Sequence, residues 1–198
     1  IQMSERERLF PLPAIAGGAP VRDRLLPYAK QWIDEEDIQA VSETLRSDYL
    51  TTGPAIARFE RMVAEYVGAK YAVACSNGTA ALHAACFAAE IGAGDEVIVS
   101  PFTFAASANC VLYTGGKPVF ADVKPGTFLI DPIDIERKIT ERTKAIIPVD
   151  FAGEPADMDA ISRLAERHGL LVIEDAAHAL GAEYGGRRVG SLADMTVF

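Results

Sequence analysis

Short, uninterrupted apolar runs alternate with segments of helical period along most of the chain, and this alternation limits the fold more than any other feature of the sequence. The runs are YAVAC (71–75), EVIVS (96–100), PVFADV (118–123), AIIPV (145–149) and LLVIE (170–174). A strand with one wet face alternates apolar and polar residues, whereas a strand covered on both faces is apolar nearly throughout. The runs therefore predict a mainly parallel sheet with helices on both sides, a three-layer α/β sandwich. Helices are expected after Gly78, after Thr103, from Pro132 to Ile139, and from Asp157 to His168, where Gly169 closes the last.

Two more helices precede the sheet. Asp34 stands three residues before Asp37, a capping box with Asp in place of the usual Glu, and Ile38, Val41 and Leu45 follow at helical spacing, which predicts a helix over 35–46. Gly53-Pro54 opens a second, with Ile56, Phe59, Val63 and Tyr66 (or Met62) as its stripe and Gly68 as its end. The closing segment GGRRVGSLADMTVF reads as a hairpin and a further apolar strand.

At 198 residues and 49% hydrophobic, the chain has room for one well-buried domain. The first ten residues, IQMSERERLF, carry charges where a signal peptide needs an apolar core, so they are expected to be a loose arm. No apolar run approaches the roughly 20 residues of a membrane span, and no membrane partner is expected. With 19 Lys plus Arg against 28 Asp plus Glu, a net charge of -9 and no basic cluster, nucleic acid is not an expected partner. Cys75, Cys86 and Cys110 lack a CxxC pair and sit in apolar runs; reduced, packed thiols in a cytoplasmic protein fit them.

In an open α/β sheet, ligands bind beyond the carboxyl ends of the strands. After YAVAC, Ser76-Asn77-Gly78-Thr79 leads directly into a helix and offers backbone N–H groups, a hydroxyl and a positive helix end to a phosphate; the alternative is a turn with an ordinary N-cap. After EVIVS, Pro101-Phe102-Thr103-Phe104 places aromatics where one can lie on a planar ring, unless both are core. After LLVIE comes Asp175, a carboxylate that is costly to bury without a cation or donor. A protonated pyridine nitrogen is one such partner, and the pairing would make a ring cofactor an electron sink. The alternatives are a cap on the next turn or an ion pair with Arg. His178 follows three residues on and by itself reads as structural.

Taken in order, SNGTAAL, SPFTFAASAN, PVFADV, PVDFAG, DMDAI and IEDAAHALGAEYGGRRVGSLADMTVF resemble the DegT-type sugar aminotransferases, a branch of the fold-type I pyridoxal 5'-phosphate (PLP) enzymes, from about Leu26 to Phe198. The branch most similar in phrasing makes UDP-linked 4-amino-4,6-dideoxy sugars, as in the pseudaminic acid route. The resemblance implies the large domain of an aspartate aminotransferase-like fold. It implies PLP as cofactor, with Gly78 and Thr79 on the phosphate, Phe104 on the ring, Asp175 at the pyridinium nitrogen and His178 near the ring hydroxyl. Thr52, in the loop Thr51-Thr52-Gly53, falls where substrate approaches. Members form homodimers that share their sites. Many members read His and Gln where this chain has Asp150 and Glu154, which bears on the sugar contacts.

The resemblance divides the chain into an arm over 1–25 and a PLP-binding large domain over 26–198, incomplete at its C-terminal end and without a small domain. The family's Ser-Phe-x-x-x-Lys motif, whose lysine forms the Schiff base, would begin at residue 199, so no catalytic residue is expected within the chain. Lys30, Lys70, Lys117, Lys124, Lys138 and Lys144 read as solvated surface. For the complete protein, the expected reaction is transfer of an amino group, with glutamate as donor, to a keto-deoxysugar on UDP. The alternatives are dehydration of a deoxysugar by the aminated cofactor, with histidine in place of the lysine, and a noncatalytic phosphate- or PLP-binding module.

Overall fold

The structure, a computed structural model, describes residues 12–27 and 29–198. The chain divides into two compact units, Ile1–Leu50 and Thr51–Phe198. Of the arm expected over 1–25, residues 1–11 lie outside those described.

The first unit holds a 3-10 turn, Ala14–Ala16, and helix α1, Glu35–Arg46. The Asp34 carboxylate accepts from the N–H groups of Glu36 (3.0 Å) and Asp37 (3.2 Å), and the Asp37 carboxylate accepts from the Asp34 N–H at 3.0 Å. The capping box thus closes with Asp at its third position. Glu35, Glu36 and Asp37 at the start and Arg46 at the end also oppose the helix dipole.

The second unit opens with α2, Pro54–Val67, which has Pro in its first turn and is stopped by Gly68 in the left-handed conformation. It continues with α3 (Gly78–Ala88), β1 (Glu96–Val99), α4 (Ala106–Tyr113), β2 (Lys117–Phe120), α5 (Pro132–Lys138), β3 (Thr143–Ile147), α6 (Met158–His168), β4 (Leu171–Asp175), the hairpin β5 (Glu183–Tyr184) and β6 (Arg187–Arg188), and β7 (Met195–Val197). Asp157 caps α6 by accepting from the Ala160 N–H, and Gly169 ends it, as the sequence predicts. The hairpin turns through Gly185 and Gly186, both at positive φ, the geometry that a two-residue connection requires.

Five strands form one parallel sheet in the order β2-β1-β3-β4-β7. Along β1 the side chains alternate between two cores: Val97 and Val99 pack with α3 and α4, and Ile98 with α6 and the hairpin side. Ala145, Ile147 and Ile173 join the first core, Ile146 and Val172 the second. The apolar runs of β1, β3 and β4 are therefore covered on both faces, whereas β2, at the sheet edge, is partly exposed, a correction to the expectation for residues 118–123. Each fully buried isoleucine stabilises the sandwich by about 1.5–3 kcal/mol.

One expected strand does not form. Among the described residues the backbone of 71–75 joins no ladder, and its hydrogen bond to another segment is the Ala74 N–H donated to Glu60 Oε1 at 2.9 Å. Tyr71 and Val73 are 76% and 80% exposed. An apolar β-prone run reports a preference for extended backbone, whereas a strand needs a neighbouring backbone to pair with. Cys75 is correspondingly exposed, a correction to its expected packing, while Cys86 and Cys110 are buried with their sulfurs 3.4 Å apart.

The chain leaves β1 toward β2 on one side and returns to β3 on the other, so the loops after β1 and β3 diverge and open a crevice at the carboxyl ends.

Candidate functional site

The crevice holds a cavity of about 690 Å3 lined by Gly78 and Thr79, the loop from Pro101 to Phe104, Val149 to Phe151, and Asp175, Ala177 and His178, among others. Each part is placed by a local rule. Asn77 caps α3, its side chain accepting from the Ala80 N–H at 2.9 Å. The N–H groups of Gly78 and Thr79, in the first turn, have no helical acceptor and lie at the positive end of the helix dipole.

Asp175 ends β4 at 6% exposure. Its backbone is fixed on both sides, N–H to Pro148 carbonyl and carbonyl from Asp150 N–H, each 3.0 Å. Its carboxylate accepts from Ser107 Oγ at 2.6 Å. Ser107 Oγ also lies 2.6 Å from Thr103 Oγ1. A hydroxyl has one proton, and the short contact to a carboxylate claims that of Ser107, so Thr103 donates to Ser107 and Ser107 to Asp175. This hydroxyl relay spans the start of α4. Among the described residues no Lys, Arg or His forms an ion pair with Asp175, so the Arg-pair alternative fails. The capping alternative survives only as a weak 3.4 Å contact from the Ala177 N–H. A nearly buried carboxylate with hydroxyl support and no cation is fitted to receive a positive group from the cavity.

The aromatics are not core. Phe102 is 40% exposed and Phe104 77%. Phe102 stacks on Phe128 with centroids 4.7 Å apart and meets Phe151 edge-on at 4.6 Å, while Phe104 stands free in the cavity wall. His178 lies beside Phe151, ring centroids 6.2 Å apart. Gly78, Thr79, Phe104, Asp175 and His178, the five expected cofactor contacts, thus line one cavity. Thr52 is not among its lining residues; it has φ 52 and donates its hydroxyl to the Thr51 carbonyl. None of the lysines lines it, and among the described residues no His, Cys, Asp or Glu cluster could hold a metal ion.

Ser107 and Thr103 are missed from the sequence. Their signal is a hydroxyl pair four residues apart across a helix start, which identifies no partner until β4 is packed against α4.

Over residues 31–198 the sequence matches the DegT/DnrJ/EryC1/StrS aminotransferase family. The spore coat polysaccharide biosynthesis protein SpsC of Bacillus subtilis is 50% identical over 177 residues, 89% of this chain and 46% of SpsC. GDP-perosamine synthase of Caulobacter vibrioides is 48% identical over 167 residues, 84% of this chain and 45% of the synthase. Among solved structures, the PLP form of the sugar aminotransferase Spr1654 from Streptococcus pneumoniae superposes with a TM-score of 0.83 at 36% identity, covering 86% of this chain and 47% of Spr1654. PseC of Helicobacter pylori, an aminotransferase of pseudaminic acid biosynthesis, superposes at 0.80 and 36%, covering 84% and 45%.

Fold and cavity therefore define the PLP-dependent aminotransferase class. Within it, the chain belongs to the DegT/DnrJ/EryC1/StrS aminotransferase family, whose cofactor is PLP. It spans just under half the length of the curated relatives it matches. Among the described residues no helix is long and apolar enough to cross a membrane.

Proposed function

We propose that this chain supplies the cofactor-binding part of an enzyme that transfers an amino group from glutamate to a keto-deoxysugar carried on a nucleotide, with UDP as the carrier. The observation that carries the reading is Asp175, nearly buried, held by the Ser107 relay and aimed at a cavity that also contains the free N-terminus of α3. Family relatives that include a GDP-sugar synthase support the nucleotide-sugar class.

Each residue has a role set by its chemistry. The Gly78 and Thr79 N–H groups and the Thr79 hydroxyl bind the phosphate at the positive helix end. Phe104 orients the ring through its face. Asp175 keeps the ring nitrogen protonated, and Ser107 fixes which way the carboxylate points. His178 hydrogen-bonds the ring hydroxyl, and Thr52 meets the sugar. Bound there, PLP supplies a protonated, electron-withdrawing ring that eases loss of a proton from the carbon bearing nitrogen. The mobile proton itself needs a basic amine. No lysine lines the cavity, and in the complete protein, a cytoplasmic homodimer in this reading, that amine would be a lysine beyond Phe198.

The test is a PLP titration followed by absorbance on the complete protein, then 2-oxoglutarate release from glutamate with UDP- and GDP-linked keto sugars offered in turn. Asp175→Ala is expected to cost on the order of a hundredfold in turnover. Glutamate-independent turnover, or full activity in Asp175→Ala, would sink the reading.

A further inference from the structure

A second acidic group, one member of which lines the cavity floor, is not used by the cofactor contacts. Asp150, just past β3, and Glu174, on β4, are both fully buried. Asp150 Oδ1 accepts from the Ala156 N–H at 3.0 Å, and Glu174 Oε2 from Thr196 Oγ1 at 2.8 Å. The Gly190 N–H also lies against the Glu174 carboxyl. Among the described residues the remaining oxygens, Asp150 Oδ2 and Glu174 Oε1, meet no donor. The two carboxyls come from adjacent parallel strand ends, where Val149 pairs with Asp175, and each acts on the other's titration. Among the described residues no Lys, Arg or His forms an ion pair with either.

Two ionised carboxylates cannot hold this arrangement. Neither has a proton to offer, so both free oxygens stay orphaned, and two like charges stand together with no basic side chain among the described residues paired to either. One proton removes both defects, turning the repulsion into an O–H···O⁻ hydrogen bond of the strong, charge-assisted kind.

We propose that Asp150 and Glu174 share a single proton, and that this carboxyl–carboxylate bridge is a positioning device tying the end of β3 to β4 directly behind Asp175. The backbone carries the tie forward, since the Asp150 N–H bonds the Asp175 carbonyl and the Asp175 N–H bonds the Pro148 carbonyl, each at 3.0 Å. Glu174, with Thr196 and the Gly190 N–H beside it, keeps the negative charge; Asp150, beside Phe151 and facing the charges of Glu174 and Asp175, keeps the proton. Burial, then the Glu174 charge, push the Asp150 carboxyl up to about 8. As pH rises past about 8 the cavity floor then gains a charge at Asp150, next to Asp175. The shared proton stands independently of the cofactor; only its use for Asp175 rests on the PLP reading above.

The experiment compares the complete wild-type protein with Asp150→Asn and Glu174→Gln. Infrared spectra of the cofactor-free protein are expected to show a protonated-carboxyl C=O band at neutral pH that fades as pH passes about 8. The band should be missing in both variants, because an amide donates to the surviving carboxylate. The folded pKa of Asp150 is raised, so its contribution is complete below the unfolded value of 3.8 and is lost as pH rises toward about 8. The unfolding equilibrium of wild type relative to Asp150→Asn should therefore worsen about tenfold per pH unit across that window and level off above it. If Asp150→Asn does not fold, Glu174→Gln and the wild-type band carry the same test. No wild-type band at pH 7, or a pH-independent ratio, overturns the shared proton. PLP affinity should fall above about pH 8 in wild type and stay level in Asp150→Asn; parallel profiles overturn the positioning role. A band without any PLP binding supports the pair and counts against the cofactor reading instead.

Discussion

Ser107→Ala isolates the relay that holds Asp175. The serine is fully buried and its hydroxyl lies 2.6 Å from Asp175 Oδ2. Alanine fits the same space, so the change removes a donor and little volume. What is lost is one hydrogen bond to a charged group, about 1.5–3 kcal/mol, and Thr103 loses its acceptor as well. Asp175 keeps only the 3.4 Å contact from the Ala177 N–H, so no neighbour compensates. The cofactor-free protein should therefore unfold at lower denaturant, with a stability deficit of about 1.5–3 kcal/mol and an unchanged slope. With saturating PLP the deficit should shrink, because a protonated ring nitrogen then shares the carboxylate's charge. The assay is urea unfolding followed by circular dichroism, with and without PLP. Equal midpoints for wild type and variant without cofactor would refute the relay as a support of Asp175. An equal deficit with and without PLP would refute the placement of the ring nitrogen at Asp175.

Three further changes probe the frame around the site. Gly190 has φ 105, and a Cβ there would stand 2.7 Å from Val67 Cβ and 3.0 Å from Phe198 Cζ, so Gly190→Ala should destabilise by at least about 1–3 kcal/mol in denaturant melts; a neutral result would mean this turn relaxes freely. Ile146→Ala removes a fully buried side chain from the centre of the sheet and should cost about 2–5 kcal/mol by the same measurement. Glu96, at the opposite end of β1 from the cavity, accepts from Thr140, Arg142 and Lys117, which hold its carboxyl down to about 2. A lowered folded pKa gives stability that is present above the ordinary value of 4.5 and lost as pH falls toward 2, so Glu96→Gln should flatten acid unfolding in that window, and equal acid profiles would count against the cluster.

What the sequence determined by itself is what depends on near neighbours in the chain. The Asp34–Asp37 box, the Asp157 cap and the stops at Gly68 and Gly169 act within a few residues, so their helices begin and end where the sequence places them. Continuous apolar runs state that both faces of a strand are covered, and β1, β3 and β4 are. The placement of Phe104, Asp175 and His178 around one cavity follows from strand ends in a parallel sheet, a rule that needs only the element order, and Gly78 and Thr79 join them at the start of α3.

Tertiary structure decided whatever joins distant parts of the chain. Residues 71–75 have the composition of a strand, but pairing requires a partner backbone, and none of the described residues provides one. Phe102 resembles a core residue, yet it is 40% exposed and stacks on Phe128 in the cavity wall. Ser107 and Asp175 are 68 residues apart in sequence, and only the packing of α4 on β4 brings the hydroxyl to the carboxylate. Asp150 and Glu174 each read as an ordinary acid until two parallel strand ends bury them side by side with no basic partner among the described residues. Local backbone preference acts over single turns and can be read residue by residue; desolvation and charge act between groups that meet only once the chain has folded.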